Sequence, residues 1–239
     1  MKRILLSVVL LLLTINIFAQ KGFGIDGSIG IGRNGGDLVY PLLLEGRVQF
    51  NDYLSLNLGL GLWNSGLKDN WEKKETDLST LYSISSNKTL PSLQLSTRGQ
   101  IPVFRYNDKQ VRFFIEPKLY FLPFSAQTVN LKETYYDLKT DDITGEITYT
   151  PTGVSKSTSM KSECHPRLYG GAQVGFAVEV VENIDLAISY GYTNMDLFKD
   201  LRNRTIKDQS SRDWPLNSSL PRTDLQQINV SFLVNFNLN

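Results

Sequence analysis

Strict alternation of apolar and polar residues dominates the chain after residue 22. The clearest run sets Leu54, Leu56, Leu58, Leu60 and Leu62 against Ser55, Asn57, Gly59, Gly61 and Trp63. Phe23, Ile25, Ile29 and Ile31 oppose Gly24, Asp26, Ser28 and Gly30; Leu42, Leu44, Val48 and Phe50 oppose Leu43, Glu45, Arg47 and Gln49. Five further segments read the same way, around 93–103, 111–121, 168–179, 184–192 and 228–238. Successive strand residues point to opposite faces, so period two over this many positions predicts eight strands, each with one apolar and one polar face. No segment carries a convincing 3.6-residue stripe.

The composition of the two faces decides which one points outward. Bulky Leu, Ile, Val and Phe populate the apolar face of all eight strands, enough to sheath a cylinder. The polar face mixes small Gly and Ser with long Arg, Lys, Glu and Gln, a poor recipe for a solvated exterior or a ligand cup. An apolar exterior in lipid around a polar interior fits both. Only closed strand pairing satisfies every backbone N–H and C=O in hydrocarbon. The expected fold is therefore an all-β, transmembrane, antiparallel up-and-down barrel of eight strands.

Connection lengths agree. Residues 51–52, 105–110 and 181–183 are short links, whereas 64–89, 124–166 and 193–222 are long; 33–37 is the one brief link on the long side. Short turns on one rim, the periplasmic one, and long loops on the other are expected of outer-membrane barrels. With an even strand count, both chain ends fall on the short-turn rim. Aromatic residues near the strand ends form two expected belts, with Phe50, Tyr53, Phe104, Tyr106 and Phe236 below and Tyr40, Trp63, Phe121, Phe124 and Tyr192 above. A ten-strand barrel is the alternative, because 128–138 and 143–150 could pair about Asp141-Asp142. Lys132, Glu133, Asp137 and Lys139 put charge on both faces of the first of these. A lipid-facing basic residue near the midplane costs about 2–4 kcal/mol, so this hairpin is expected above the membrane.

The first residues are set apart. Lys2 and Arg3 precede an apolar run from Ile4 to Leu13, and Ile17-Phe18-Ala19 places a small residue before Gln20. This predicts a signal peptide over 1–19 and a barrel domain over 20–239, in a chain exported to the outer membrane of a Gram-negative bacterium. A net charge of +1 argues against a nucleic-acid partner. Cys164 is the only cysteine, so no internal disulfide can form.

The apolar leader, the eight alternating segments, the short turns and the last strand Ile228–Leu238 resemble the small outer-membrane barrels of the OmpA/OmpX type. The stretch Phe18-Ala19-Gln20 and the Asn-rich ending are similar to "outer membrane protein beta-barrel domain" proteins of Bacteroidota. The ending departs in one respect, since Phe236 is followed by Asn237-Leu238-Asn239 rather than closing the chain.

Candidate chemistry lies mostly in the expected lumen. Parity turns Asp26, Glu45, Glu116, Glu179 and Asp185 inward together with Arg47, Arg98, Arg112 and Lys118. Signs nearly balance, and an eight-stranded interior is just wide enough to be filled by side chains. A paired polar plug is expected, because buried charges must be matched; a narrow ion path is the alternative. His165, the only histidine, lies beside Ser162, Glu163 and Cys164. It is followed by Pro166-Arg167 and lacks the His-x-Ser motif of barrel deacylases, so no catalytic residue is assigned and no enzyme is expected. One His and one Cys without spaced partners make no transition-metal site. The glycines of 24–35 precede no helix that could cradle phosphate, and no cofactor is expected. In the long loops Trp71, Tyr82, Tyr135, Tyr136, Tyr149 and Trp214 form a candidate surface for a protein or glycan partner, or else pack against one another. The expected function is structural or surface-binding, in contact with outer-membrane lipid. A subunit of a larger secretion or uptake complex and a narrow porin-like channel are the alternatives.

Overall fold

The computed structural model describes residues 22–34, 37–74, 78–106, 109–141, 143–201, 203–216 and 224–237. The expected signal peptide lies outside them. Twelve strands are found there: β1 (Gly22–Asn34), β2 (Asp37–Asn51), β3 (Leu54–Lys74), β4 (Leu78–Tyr106), β5 (Lys109–Leu122), β6 (Thr128–Thr140), β7 (Ile147–Lys161), β8 (Arg167–Val181), β9 (Ile184–Thr193), β10 (Thr205–Lys207), β11 (Asp213–Pro215) and β12 (Leu225–Asn237).

Eight of them close a barrel. The antiparallel order runs β3-β2-β1-β12-β9-β8-β5-β4, and β4 pairs back with β3. Every barrel strand therefore neighbours the next barrel strand in the chain, the arrangement that alternating short and long connections predict. Gly22 pairs with Asn237, so the first and last described residues share a rim with the short turns. Three register shifts, at Gln49/Asn51, Pro102/Phe104 and Glu179/Val181, also cluster at that rim. There an extra residue bends the strand into its turn. In the 181–184 turn Asn183 takes a left-handed φ of 64°, a conformation Asn tolerates better than most residues.

The alternation sorts the barrel wall as expected. Ile25, Ile29, Leu42, Leu44, Leu58, Leu60, Leu93, Leu95, Ile115, Leu119, Val174, Phe176, Ile188, Val230 and Phe232 point outward and are exposed, whereas Asp26, Glu45, Asn57, Ser96, Glu116 and Gln173 are buried inside. A continuous apolar exterior around a polar interior inverts a water-soluble protein and suits hydrocarbon. The aromatic belts hold with one correction. Tyr53, Phe104 and Phe236 are exposed at the lower rim, where Phe236 stacks on Phe23, and Tyr40, Phe124 and Tyr192 at the upper. Trp63 is instead fully buried, because its place in the alternation turns it inward. The side chain of Tyr106 lies outside the described residues.

The expected long loops are largely strand. β3 and β4 stay paired up to Lys74 and Ser79, well past the lipid-facing part of the wall. β6 adds to this raised hairpin by pairing with β4 over 78–85, and β7 pairs with β6. The 128–138 segment thus enters a four-stranded sheet above the barrel rather than the wall, which keeps Lys132, Asp137 and Lys139 out of hydrocarbon. The third long connection also folds back: β10 and β11 form a short hairpin, and Met195, Leu197, Phe198, Leu201, Ile206 and Leu216 are buried in the core that fills the raised sheet and the upper barrel.

Candidate functional site: the lumen and its cap

In the lower and middle lumen, side chains from six strands meet. Arg98 Nε donates to Glu116 at 2.7 Å, and its other nitrogen lies 3.3 Å from Asp26. Lys118 Nζ contacts Glu45 at 2.9 Å and Glu116 at 3.0 Å. Arg47 lies 3.3 Å from Asp26 and also bonds the Asn235 amide oxygen. At the lower rim Arg112 pairs with Asp185 at 2.5 Å, and the Asn235 amide donates to the same carboxylate at 3.1 Å. Eight of the nine expected lumen residues thus form one linked group. Glu179, half-buried beside the register shift in β8, joins none of these pairs.

Neutral partners that parity alone did not single out complete the group. Glu116, with no exposed surface, also accepts from Ser96 at 2.6 Å, Asn57 at 3.1 Å and Gln173 at 2.9 Å. Five donors converge on one carboxylate, the condition under which a buried charge is tolerated. Their sequence signal is position: each lies on the inward face at about the same height. Arg98 also lies over the Phe114 ring, 4.6 Å from its centroid. The β4–β5 ladder passes from Ser96–Lys118 to Gly99–Ile115 with no register pair between. Pro117 has no N–H to give there, and the Arg98–Glu116 pair spans that stretch from inside.

Glycines make room for these long side chains. A Cβ on Gly59 would come within 2.5 Å of Glu45 Cγ, and one on Gly24 within 3.0 Å of an Arg47 nitrogen. On Gly175 it would meet the Ile188 carbonyl at 2.3 Å and Phe114 Cζ at 2.8 Å.

The upper lumen changes character. Val39, Leu43, Trp63, Leu90, Tyr120, Leu122, Tyr169 and Leu225 are buried in one cluster, continuous with Tyr82, Ile84, Val129 and Leu131 of the raised sheet. Trp63 donates to Ser92 at 2.8 Å and meets Tyr120 edge-on at 5.4 Å. Polar contacts pin the third long connection onto this cluster. Tyr169 donates to the Asp196 carbonyl at 2.8 Å, Gln127 donates to the Leu197 carbonyl, and Asp200 takes Ser125 and Arg167.

The six loop aromatics divide. Trp71 stacks on Tyr82 at 5.6 Å and Trp214 packs on both, at 5.4 and 4.7 Å. Tyr82 is buried. These three rings thus form a packed cluster, in which each finds apolar area on its neighbours. Asp208 anchors it by accepting from Trp214 at 3.2 Å and from the Ser210 and Arg212 amides at 2.8 and 2.9 Å. Desolvation opposes ionisation of Asp208, but these donors outweigh it and hold its carboxyl below the ordinary range. Tyr135 is half-buried and donates to Glu133 at 2.7 Å; desolvation and that bond push its phenol up to about 12. Tyr136 is half-buried, and Tyr149 is exposed with Lys74 over its ring at 5.1 Å.

His165 is exposed. Its ring contacts Glu163 at 3.3 Å, whereas Ser125 donates to its backbone carbonyl at 2.7 Å. The Cys164 sulfur is exposed. No group of His, Cys, Asp and Glu able to hold a metal occurs among the described residues.

No family model and no curated protein matches this sequence. Solved structures similar to it include Neisserial surface protein A, at 12% identity over 90% of this chain and 96% of that one, with a TM-score of 0.38. The N-terminal β-barrel domain of Pseudomonas aeruginosa OprF is similar at 9% identity over 91% and 98%, with a TM-score of 0.34. Ail of Yersinia pestis, solved with the heparin analogue sucrose octasulfate, is similar at 14% identity over 90% and 97%, with a TM-score of 0.28. The eight-stranded assignment stands on this chain's own strand register.

Proposed function

We propose that this chain is a non-enzymatic protein of a Gram-negative outer membrane, a closed barrel that carries a rigid extracellular β-sheet for surface binding. The observation that carries this reading is the filling of the lumen by two layers in series. Below, four acids and four bases pair off, where a selective pore would favour one sign. Above, Trp63, Leu43, Tyr120 and their neighbours close the mouth with apolar side chains. Energy invested in ordering the long connections serves display rather than transit. On this reading the chain is a relative of the Bacteroidota barrel-domain proteins that its sequence resembles.

The test is conductance in planar bilayers. Purified protein is expected to give no reproducible unit conductance. A defined unit conductance that disappears on Arg47→Ala or Arg112→Ala would replace this reading with the narrow channel.

A second reading, membership of a larger outer-membrane complex, is favoured by the distal tip. Ile143 is 96% exposed at the end of the β6–β7 hairpin, and Ile147 and Tyr149 are exposed near it. Exposed apolar clusters mark partner surfaces more often than chance. A stoichiometric partner purified from native membranes, and lost on Ile143→Ser with Tyr149→Ser, supports the complex; recovery of the barrel alone opposes it.

A further inference from the structure

At the upper rim, on the wall between β2, β1, β12 and β9, lies a hollow of about 240 Å³. Its side-chain lining is Ile31, Arg33, Leu38, Tyr190, Gln226 and Ile228. Cross-strand register stacks these residues by chemistry: Arg33 lies opposite Gln226 and Leu38, and Ile31 opposite Ile228, which in turn lies opposite Tyr190. The hollow therefore carries Arg33 and Gln226 beside Leu38 at its upper edge and is apolar below, along Ile31, Ile228 and Tyr190. Arg33 lies two residues beyond Ile31 on the same outward face, about 6–7 Å farther along the strand. That step takes it from the apolar sheath to the register of Tyr192, which lies opposite Gln226, in the upper aromatic belt where lipid headgroups lie.

Arg33 is also unlike five other arginines. Arg47, Arg98, Arg112, Arg167 and Arg204 each hold a carboxylate. Arg33 is exposed and makes no ion pair with any described residue. Asp224, the acid that follows on the outward face of that stretch, bonds the Tyr192 hydroxyl. A guanidinium offers planar, paired N–H donors matched to phosphate, and beneath this one is an apolar floor suited to an acyl chain.

We propose that the Arg33 hollow is a binding site for the phosphorylated headgroup of an outer-leaflet lipid, with Arg33 and Gln226 on the phosphate and an acyl chain against Ile31, Leu38 and Ile228. The inference rests on the outer-membrane reading above. A site of this kind fixes the barrel's height in the membrane and gives the raised sheet a firm base.

The test uses the full barrel in phosphatidylcholine nanodiscs doped with diphosphorylated lipid A or with the same glycolipid stripped of phosphate. Lipid retained through purification is counted by native mass spectrometry. Wild type is expected to retain the phosphorylated form, and Arg33→Gln to retain about tenfold less, as loss of a charge-assisted contact implies. Arg33→Lys is expected to fall between, and Arg105→Gln at the opposite rim to match wild type. Equal retention by wild type and Arg33→Gln would falsify the site, and so would equal retention of the phosphate-free lipid. Release of the lipid by millimolar inorganic phosphate would mean a free-anion site instead and also overturn the proposal. Failure of the wild-type barrel to enter nanodiscs would sink the membrane reading itself, a result distinct from any of these.

Discussion

The lower lumen and the cap above it are built from the same strands, yet they hold together by different means. β3 contributes Asn57 to the charged group and, six residues farther on, Trp63 to the apolar cluster; β5 contributes Glu116 and then Tyr120. Below, the barrel wall alone surrounds the interior, and its inward residues must satisfy one another across a narrow space. Above, the raised sheet and the 194–216 segment bring apolar side chains of their own, so the interior resembles the core of a water-soluble domain. The lower region should therefore be sensitive to removing a charge, and the upper to removing volume.

Glu116→Ala is the strongest way to break that contrast. It strips a carboxylate from both Arg98 and Lys118, and breaking a buried ion pair from one side costs about 3–5 kcal/mol. Unfolding in denaturant, followed by loss of the heat-modifiable band on gels, should show it; an effect under about 1 kcal/mol would mean that the group is not close-coupled. In the cap, Ile206→Ala should cost about 2–5 kcal/mol by leaving a cavity. The loss should appear as faster proteolysis of the 194–216 segment while the barrel stays heat-modifiable, and joint melting of both would erase the distinction between the regions. Gly175→Ala probes packing rather than charge. Its added methyl meets Phe114 and the Ile188 carbonyl, and overpacking of this kind costs about 1–3 kcal/mol.

Acid should separate the regions without mutation. The folded-state pKa of Asp208 is depressed, so its contribution is present above its ordinary value of 3.8 and is lost as pH falls through the lower folded value. Quenching or a shift of Trp214 fluorescence in that acid window, absent in Asp208→Ala, is the expected readout; a transition centred near neutrality would refute the assignment. The smallest effect belongs to the exposed tip. Tyr149→Ser removes the ring beneath Lys74 and should cost about 0.5–1 kcal/mol, local to the β6–β7 hairpin by hydrogen exchange.

The limits of the sequence show in particular residues. Reading the inward face of β2 gives Glu45 and Arg47 together, but not that Glu45 turns to Lys118 on β5 while Arg47 turns to Asp26 on β1. Trp63, at the end of the alternating run read from the sequence, suits a belt by location and the interior by parity; β3 continues past it to Lys74, and parity decides it. Trp214 is far in the chain from Trp71 and Tyr82, so only the fold tells a shared cluster from separate exposed rings.

By itself the sequence determined the eight barrel strands, their two faces, the closed barrel and the rim at which its first strand begins and its last strand ends. Those follow from a two-residue period and from link lengths, which are local properties of the chain. Only the tertiary structure decided which charges pair, how the long connections become sheet and cap, and that Arg33 pairs with no acid among the described residues. These depend on register between strands remote in sequence, and a shift of one residue there would exchange every inward side chain for an outward one.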